Sequence, residues 1–511
     1  MPEILTRSYT GINESTLTPQ PPELLYAHNF YKNKMLTSVS KKYHYDQPAT
    51  GGSLGKKGAL IASAMFESQS AIVNQFCETR ADYVGACRFF NNPKVSLEKL
   101  IQIGITPSAE AVQGQDVLCI QDTSEIELTH NSGKYRLSDP HLGPLTKETM
   151  CGFLLHPSLV LNAGTGFPLA LADIYLWNRK FGKKDKYERN YASLPIEEKE
   201  SYRWPERAAA AKEQLAKSRQ VTIIADREAD IYEEFALLPD QKTHLLIRSK
   251  SNRQLYGRPD KLFEAISAEP AAACITLEIK ANEKRRKRTA KLEIRFLKVK
   301  LQRPKKANKQ LPTHVGLHAI EVRELAHSVP QGEEPIIWRL LTTHPVDNVE
   351  QALQIVQWYA WRWNIEQLFR ILKTEGLQIQ RSQLESAIAL KKLCVMALQT
   401  ALQIMQLIAD RDNESQQPAT IIFSKEELIF MKALIVTKLN GKTSLQQDPH
   451  PENSLAWASW AMARLGGWKG YPSESPPGPI TMLRGLTKFQ QLFEGWRLAR
   501  QFAERLTQRP P

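Results

Sequence analysis

Short apolar runs bounded by turn residues fill the middle of the chain, and they restrict the possible folds more than any other pattern. Val117–Leu128 and Phe153–Leu161 have the composition of strands, and Gly164–Gly166 joins the second run to Phe167–Trp177 as a tight hairpin. Val221–Ala225 is continuously apolar, as expected of a strand buried on both faces. Strands followed by alternating helices and strands predict a mixed α/β domain.

Other patterns extend this arrangement toward both ends of the chain. Pro205–Leu215 is an alanine-rich helix with proline in its first turn, and His244–Arg248 and Trp338–Thr343 are further strands. One long helix is expected from Val349 through Lys373. The segment from Ala59 to Leu100 and the chain after Ala387 are helical in pattern, so helical regions are expected on both sides of the α/β domain.

Positive charge is concentrated in one segment. The chain of 511 residues has a formal net charge of +14, which favours an anionic partner such as nucleic acid or a membrane surface. Residues 281–309 hold thirteen Lys or Arg against Glu283 and Glu293, a local charge of +11. Imperfect alternation from Leu292 to Leu301 predicts half-buried strands with a basic outer face. This face either follows nucleic-acid phosphates or is ordinary solvated surface.

Membrane insertion and secretion are both disfavoured by the sequence. Leu393–Ala409 is the most apolar candidate for a membrane span, but three glutamines interrupt it at helical spacing. The first residues lack a basic segment followed by an apolar one, so a cytoplasmic protein is expected. The 6 cysteines are scattered, which predicts reduced and mostly buried thiols rather than a zinc site or disulfides.

Two aspartates occupy unusual positions. Asp122 falls inside the first predicted strand, where aspartate is disfavoured. Asp226 follows the apolar run Val221–Ala225, at a strand-to-helix junction of the kind where open α/β sheets place ligand sites. Taken alone, an Asp in this position is more commonly the N-cap of the next helix.

The helix predicted after Val349 carries a polar face of mixed charge. At about 100° per residue, four polar side chains fall within about 60° of one another: Tyr359, Arg362, Glu366 and Lys373. Apolar residues at 365, 368 and 372 form the opposite face. An ordinary solvent-exposed face with one Arg–Glu pair would explain the charges but not the surrounding aromatic residues. Cations, rings and a carboxylate together suit a phosphodiester site.

Three carboxylates, Asp122, Asp226 and Glu366, would repel one another unless a cation lay between them. Hard oxygen ligands suit Mg²⁺, for which Mn²⁺ can substitute. A pair of such ions about 4 Å apart would activate a hydroxyl or water and stabilise the leaving oxygen at phosphorus. The sequence therefore predicts phosphoryl transfer on nucleic acid.

The spacing Tyr-x2-Arg-x3-Glu-x6-Lys resembles the Y-R-E-K signature of DDE transposases of the insertion sequence 4 family, and is most similar to the transposon-five type. The resemblance runs from about Asp82 to near the C-terminus. Further matching stretches are Gly85–Phe89, Gln121–Ser124, Asp226–Ile231, Arg248–Lys250, Trp338–Thr342 and Ala463–Gly467.

This resemblance implies an α/β fold with an RNase H-like mixed-sheet catalytic core, an inserted basic β subdomain, and flanking helical domains. The expected division is an irregular arm at 1–55 and a helical DNA-binding domain at 56–105. The catalytic domain follows at 106–375, with its β insertion at about 250–335, and a helical dimerisation domain occupies 376–511. The stretch around Trp457–Trp468 is expected to contribute to the dimer.

The resemblance also assigns roles to individual residues. Asp122, Asp226 and Glu366 would be the metal-binding catalytic triad. Tyr359, Arg362 and Lys373 would hold phosphates of the transposon end, with Arg248 and Arg370 nearby. Further DNA-binding residues are expected to be Lys250, Arg285, Arg286 and Arg88. Trp338 and Trp363 match positions that hold a flipped thymine when the freed 3′-hydroxyl attacks the opposite strand and forms a hairpin.

The expected activity is Mg²⁺-dependent cut-and-paste transposition. The partners would be transposon-end and target double-stranded DNA and a second copy of the chain in a synaptic complex, with no membrane. The location would be the bacterial cytoplasm, at the nucleoid when DNA is bound. Two alternatives remain at this point: a catalytically silent regulator that binds transposon ends, and a structure-selective nuclease on the same fold.

Overall fold

The computed structural model describes residues 52–128, 139–147, 150–181, 194–279, 286–373, 376–411, 414–471, 474 and 476–507. Almost all of the predicted irregular arm, residues 1–55, lies outside the described residues, and so does Arg285. The last few residues assigned to the arm, from Gly52, already belong to the first described helix.

Eleven strands in the described parts of the chain form one mixed sheet. They are β1 (Asp116–Gln121), β2 (Ser124–Glu127), β3 (Gly143–Pro144), β4 (Cys151–Asn162), β5 (Pro168–Trp177), β6 (Gln220–Ala225), β7 (Thr243–Arg248), β8 (Ala273–Ile279), β9 (Arg288–Gln302), β10 (His314–Glu324) and β11 (Ile337–Thr342). The predicted hairpin across Gly164–Gly166 is confirmed as the β4–β5 pair.

Fourteen α-helices accompany this sheet in the described parts of the chain. They are α1 (Gly52–Ser68), α2 (Val73–Phe76), α3 (Arg80–Asn91), α4 (Leu97–Ile105), α5 (Ser108–Ala111), α6 (Arg203–Gln214), α7 (Tyr232–Leu237), α8 (Leu262–Ala268), α9 (Val349–Trp361), α10 (Asn364–Lys373), α11 (Ala387–Ala409), α12 (Lys425–Leu434), α13 (Leu455–Leu465) and α14 (Pro479–Thr507).

Five strands form the centre of the sheet in the order β5-β4-β1-β6-β7. The first three in sequence, β1, β4 and β5, pair antiparallel, whereas β6 and β7 run parallel to β1. The crossover from β5 to β6 passes through α6. This order and direction confirm the expected RNase H-like mixed-sheet core.

The first predicted strand is interrupted at its aspartate. β1 ends at Gln121 and β2 begins at Ser124, yet both pair with β4 in one register, Gln121 with Ser158 and Ser124 with Leu155. The same register places Asp122 opposite Pro157, a residue without an N–H group to donate to the ladder. Asp122 therefore lies just beyond β1 rather than inside it, and its backbone is released from the regular sheet.

The basic insertion continues the central sheet. β11 pairs antiparallel with β7, and β10, β9 and β8 follow it outward in the same sheet. The alternation predicted along β9 is confirmed, because apolar Leu292 and Val299 are buried while Lys291, Lys298 and Lys300 are exposed. The insertion is thus rigidly continuous with the strands that position the candidate site.

Part of the predicted basic charge is neutralised internally. Arg288, with 7% of its side chain exposed, donates hydrogen bonds of 2.9 and 3.0 Å to Glu324 and also contacts Glu333. Arg295 donates to the carboxylate of Glu293 and the carbonyl of Glu269. The sequence could not distinguish these buried arginines from the exposed lysines, because their acidic partners are mostly distant in the chain.

Helix α11 joins the two helical regions. It packs against α1, α3 and α4 from the N-terminal side, against α13 and α14 from the C-terminal side, and against β5. Among the described helices it alone is long and apolar enough to cross a membrane, and 89% of its most apolar window is buried inside the protein. Gln399, Gln403 and Gln406 are buried rather than forming a polar stripe at the surface, because neighbours surround the helix.

The two tryptophans at the start of the stretch around Trp457–Trp468 are buried within the chain. Trp457 and Trp460 are 4% and 5% exposed, and α13 packs against α11 and α14. A contribution of this stretch to a dimer stays a prediction. The expectation of reduced thiols is confirmed for the 6 cysteines, which are all free, although Cys274 is exposed.

Replacing Arg288 with Met is expected to destabilise the protein by about 3 to 5 kcal/mol, since it leaves the buried Glu324 carboxylate without its partner. Lys287→Met, at an exposed neighbouring position, is the matched control and should change stability by no more than about 0.5 kcal/mol. Urea denaturation midpoints measure both effects, and equal midpoints for the two variants would contradict the assigned role of Arg288.

Candidate active site

Two aspartates meet at one edge of the sheet because of strand register. β1 and β6 pair in parallel, with Asp116 opposite Gln220 and Ile120 opposite Ile224. Continuing that register places Asp122 opposite Asp226, each directly after its strand. Neighbouring strands are about 4.8 Å apart. Carboxylates that converge at one edge of a sheet repel each other, so nearby positive charge favours this arrangement.

Asp122 is held by two hydrogen bonds. One carboxylate oxygen accepts from Arg362 Nη1 at 2.9 Å, and the other accepts from the backbone N–H of Thr123 at 2.8 Å. Burial raises the pKa of Asp122 to about 6, although Arg362 and the Thr123 N–H act to lower it and Glu366 raises it further. The ionised form of this side chain therefore depends on neighbouring positive charge.

Asp226 fulfils both roles that its sequence position suggests. Its carboxylate accepts from the backbone N–H of Arg227 at 2.5 Å and so caps the single 3-10 turn Arg227–Ala229. It also lies close enough to Arg362 and Tyr359 to raise the pKa of both side chains. The N-cap interpretation thus accounts for its backbone contact but not for its location beside the other acidic groups.

The predicted long helix is two helices. α9 ends at Trp361 and α10 begins at Asn364, and the N–H groups of Arg362 and Trp363 bond three residues back, to Tyr359 and Ala360. Asn364 Nδ2 donates to the Trp361 carbonyl at 2.9 Å and so satisfies a carbonyl at the break. The tightened turn separates Tyr359 and Arg362 from Glu366 and Lys373, which the sequence places on one continuous face.

Arg362 lies among all three predicted carboxylates. Its guanidinium bonds Asp122 at 2.9 Å and Glu366 at 3.5 Å, and only 13% of its side chain is exposed. Burial lowers the pKa of Arg362, but its acidic neighbours raise it above the usual value. These neighbours are Asp122, Tyr359, Asp226 and Glu366. Arg362 therefore supplies the positive charge that allows the carboxylates to converge.

The three residues of the predicted metal triad lie in the same region, but their carboxylates do not surround a common point. In the parts of the chain that the structure describes, no three His, Cys, Asp or Glu side chains form a group that could hold a metal ion. The donor chemistry suits a hard divalent cation, whereas the positions of the side chains suit the guanidinium of Arg362. A cation held by all three carboxylates would take the place that Arg362 now has beside Asp122 and Glu366.

Tyr359 is buried beside Arg362, and its contact with a DNA phosphate stays a prediction. It is 5% exposed, and burial raises its pKa, while Arg362 and Arg248 act to lower it. Its ring makes an edge contact with Trp338, with ring centroids 5.5 Å apart. Arg248, at the end of β7, donates to the carbonyl of Ile337 at 3.0 Å. Tyr359 thus packs as a support beneath Arg248 and Trp338.

Lys373 reaches the interrupted strand from α10. Its Nζ donates to Ser124 Oγ at 2.6 Å, two residues after Asp122, and burial lowers its pKa. Ile365, Leu368 and Leu372 are fully buried, which confirms the core face predicted for this helix.

The remaining predicted contacts lie around this centre or away from it. Trp363 is 43% exposed and Trp338 is half-buried. Arg370 and Lys250 are exposed, and the Lys250 backbone N–H donates to Asp230 at 2.8 Å. Arg286 is exposed at the start of the basic insertion, and Arg88 is exposed in the last turn of α3, in the N-terminal helices.

Sequence reasoning missed two supports of the site. Arg203 bonds Glu228 at 2.7 Å and Thr123 Oγ1 at 3.4 Å, which links α6 to both aspartate-bearing segments. Asp230, with no side-chain exposure, pairs with Arg253 at 2.7 Å and fixes the loop after β7. Asp230 belongs to the stretch 226–231 that resembles the family, whereas no feature of the sequence links Arg203 to the site.

Residues 206–402 match the family model of the transposase DDE domain. This segment contains Asp226 and Glu366, and it extends from α6 into α11, whereas Asp122 precedes it. The match supports a DDE transposase, as the sequence resemblance implies. Membership of the insertion sequence 4 family and the Y-R-E-K signature stay predictions.

A solved structure is also similar to the chain, at a greater distance. It is the cryo-EM structure of a piggyBac transposase synaptic complex with hairpin DNA, with a TM-score of 0.34 and 9% sequence identity. The similarity covers 93% of this chain and 82% of that chain.

Arg362→Ala is expected to lower stability by about 2 to 3 kcal/mol at pH 8, because the carboxylates then repel without compensation. Burial already raises the pKa of Asp122 to about 6, above its value in the unfolded chain. Ionisation of such a group opposes folding, so the deficit should shrink as the pH falls below about 6 toward 4. Thermal unfolding in EDTA at both pH values measures it.

Arg484→Ala, at an exposed site on α14, is the control for this comparison and should behave like the unaltered protein at both pH values. An Arg362→Ala deficit that is equal at pH 8 and at pH 4.5 would show that the loss is one of packing rather than of charge.

Proposed function

We propose that this protein is a metal-dependent DDE transposase that cuts and rejoins DNA at the ends of its own element. The observation that carries the proposal is the register of β1 and β6, which sets Asp122 opposite Asp226 while α10 brings Glu366 to the same guanidinium. The transposase DDE domain matched at residues 206–402 supports the same class of enzyme.

Within this proposal, Asp122, Asp226 and Glu366 hold Mg²⁺ or Mn²⁺. A bound ion would supply positive charge to the attacking and leaving oxygens at phosphorus. Arg362 has two tasks in sequence. It first neutralises the carboxylates, and it then binds a DNA phosphate when it is released from them, since a guanidinium suits both partners.

Groups around the centre orient the DNA. Arg248, held by the Ile337 carbonyl and supported by Tyr359, presents positive charge at the end of β7. Lys373, fixed to Ser124, does the same from α10. The exposed lysines of β9 and exposed Arg286 extend the basic surface along the same sheet, and phosphate contacts of this kind position a duplex without reading its sequence.

The finer reaction sequence is also part of the proposal. After the first nick, the free 3′-hydroxyl attacks a phosphodiester of the opposite strand. The new bond between its oxygen and phosphorus closes a hairpin, the bond to the flanking strand breaks, and that strand leaves with a 3′-hydroxyl that takes up the proton. The exposed ring of Trp363 and the half-buried ring of Trp338 hold a thymine outside the stack. Stacking of about 1 to 3 kcal/mol per base offsets the cost of extracting it. The enzyme acts as a homodimer on two transposon ends in the bacterial cytoplasm, without a membrane partner.

Purified protein with Mg²⁺ is expected to nick duplexes that carry the ends of its element and to join them to target DNA. Asp122→Ala, Asp226→Ala and Glu366→Ala should each abolish nicking, because each removes a carboxylate from the centre. Asp347→Ala, at an exposed aspartate in the loop before α9, should cleave normally. Denaturing gels with and without EDTA provide the measurement.

Three results would count against this proposal in different ways. Cleavage that persists in Asp122→Ala would remove the triad from the mechanism. End binding without cleavage in Mg²⁺ or Mn²⁺ would indicate a silent regulator. Cleavage without strand transfer would indicate a nuclease on the same fold.

Trp338→Ala is expected to slow hairpin formation at least tenfold more than the first nick, because only the hairpin requires the extracted base to be held. Trp338→Phe retains a stacking ring and should restore most of the rate. Time courses on denaturing gels resolve the nicked and hairpin products, and equal slowing of both steps would contradict a base-holding role.

A further inference from the structure

A basic cavity lies in the C-terminal helical region, on elements that the catalytic proposal does not use. Its volume is about 560 Å³. Its walls come from the π-helical turn Ile435–Leu439, from the end of α13 with the loop that follows, and from α14. Among the residues that the structure describes, four cationic side chains and no acidic one line it. The four are Lys438, Arg464, Lys469 and Lys488.

The lysines of this cavity are not neutralised by neighbours. Lys438, Lys469 and Lys488 are exposed, and none of them forms an ion pair with a carboxylate among the described residues. Glu474 accepts the backbone N–H of Lys469 at 2.8 Å and does not line the cavity. Three ammonium groups around one concave surface repel one another, and an anion between them would relieve that repulsion.

Arg464 braces the cavity. Its guanidinium donates to the carbonyls of Trp468, Lys469 and Leu439, the last at 3.1 Å, so it ties the loop after α13 to the π-helical turn. Because carbonyls take up these donors, Arg464 keeps its positive charge without a carboxylate partner. These hydrogen bonds therefore hold the backbone at Lys469 and beside Lys438 in place.

Close backbone contacts hold the other wall in place. A side chain at Gly466 would collide with the Thr481 carbonyl, and one at Gly485 with the Met462 carbonyl, so α13 and α14 approach as only glycine permits. Gly467, with φ +104, turns the chain into the loop that carries Trp468 and Lys469. The stretch Ala463–Gly467, for which the catalytic site has no use, is thus what shapes the cavity.

We infer that this cavity binds a phosphate group, and that the backbone of bound DNA supplies it. The inference rests on the proposed function for the choice of DNA, but the cavity itself is separate from the carboxylate site. Lysine ammonium groups are strong partners for phosphate, and the Trp468 indole gives the cavity an apolar side against which a sugar or base can pack. The C-terminal helical region would then hold DNA away from the reacting phosphodiester.

The test uses the full chain in EDTA, a duplex of unrelated sequence, and the double variant Lys438→Gln/Lys488→Gln. The logarithm of affinity is measured against the logarithm of salt concentration. The slope should fall in magnitude by about 1 to 2, since each lost phosphate contact contributes about 0.9. The control, Lys217→Gln/Lys242→Gln, removes the same charge from exposed positions beside the opposite ends of the strands and should keep the original slope.

A second arm measures thermal unfolding in inorganic phosphate against chloride at equal ionic strength. The unaltered protein should gain stability in phosphate, and Lys438→Gln/Lys488→Gln should lose that gain while unfolding normally in chloride. A lost phosphate gain with an unchanged DNA slope would overturn DNA as the source and leave free phosphate. An unchanged slope with no specific phosphate gain in either protein would overturn the cavity as a phosphate site.

The two proposals fail separately in these experiments. If the unaltered protein binds DNA but does not cleave it in Mg²⁺, while the double variant has a reduced salt slope, the result would support the cavity and count against the transposase activity. Full cleavage with identical salt slopes for the double variant and its control would count against the cavity alone.

Discussion

The balance of charge between Arg362 and the acidic groups around it is the interaction on which the rest of the centre depends. The parallel register of β1 and β6 sets Asp122 opposite Asp226, and burial raises the pKa of Asp122 to about 6. Nearby positive charge favours the ionised form of Asp122, and Arg362, in the turn between α9 and α10, supplies it. The proposed function relies on the same need for compensating charge, because a divalent cation or a bound phosphodiester would take part in this balance when Arg362 is released.

Strand pairing connects this centre to the basic insertion. β11 pairs with β7, so the inserted strands are an extension of the catalytic sheet. Trp338 on β11 contacts Tyr359, and the preceding carbonyl accepts from Arg248. The aromatic and cationic groups proposed to handle DNA are thereby fixed relative to the carboxylates by backbone pairing, and not by flexible loops.

Some sequence predictions failed for reasons that are physical rather than accidental. Periodicity cannot detect the break at Arg362, because a tightened turn keeps nearly the same spacing of polar side chains. Alternation along β9 correctly separated inside from outside, yet it could not show that Arg288 pairs with Glu324, a partner on another strand. The glutamines of α11 interrupt an apolar stretch in the sequence, but packing partners from both ends of the chain bury them.

The sequence by itself determined the strands, the positions of Asp122, Asp226 and Glu366, and the core face of α10, because these follow from local patterns of polarity. The fold class could also be stated from the order of those elements and the family resemblance. Only the tertiary structure decided that Asp122 lies opposite Asp226, that Tyr359 is buried, and that Arg362 lies among the carboxylates. Strand register and side-chain partners join residues far apart in the chain, and no local period encodes them.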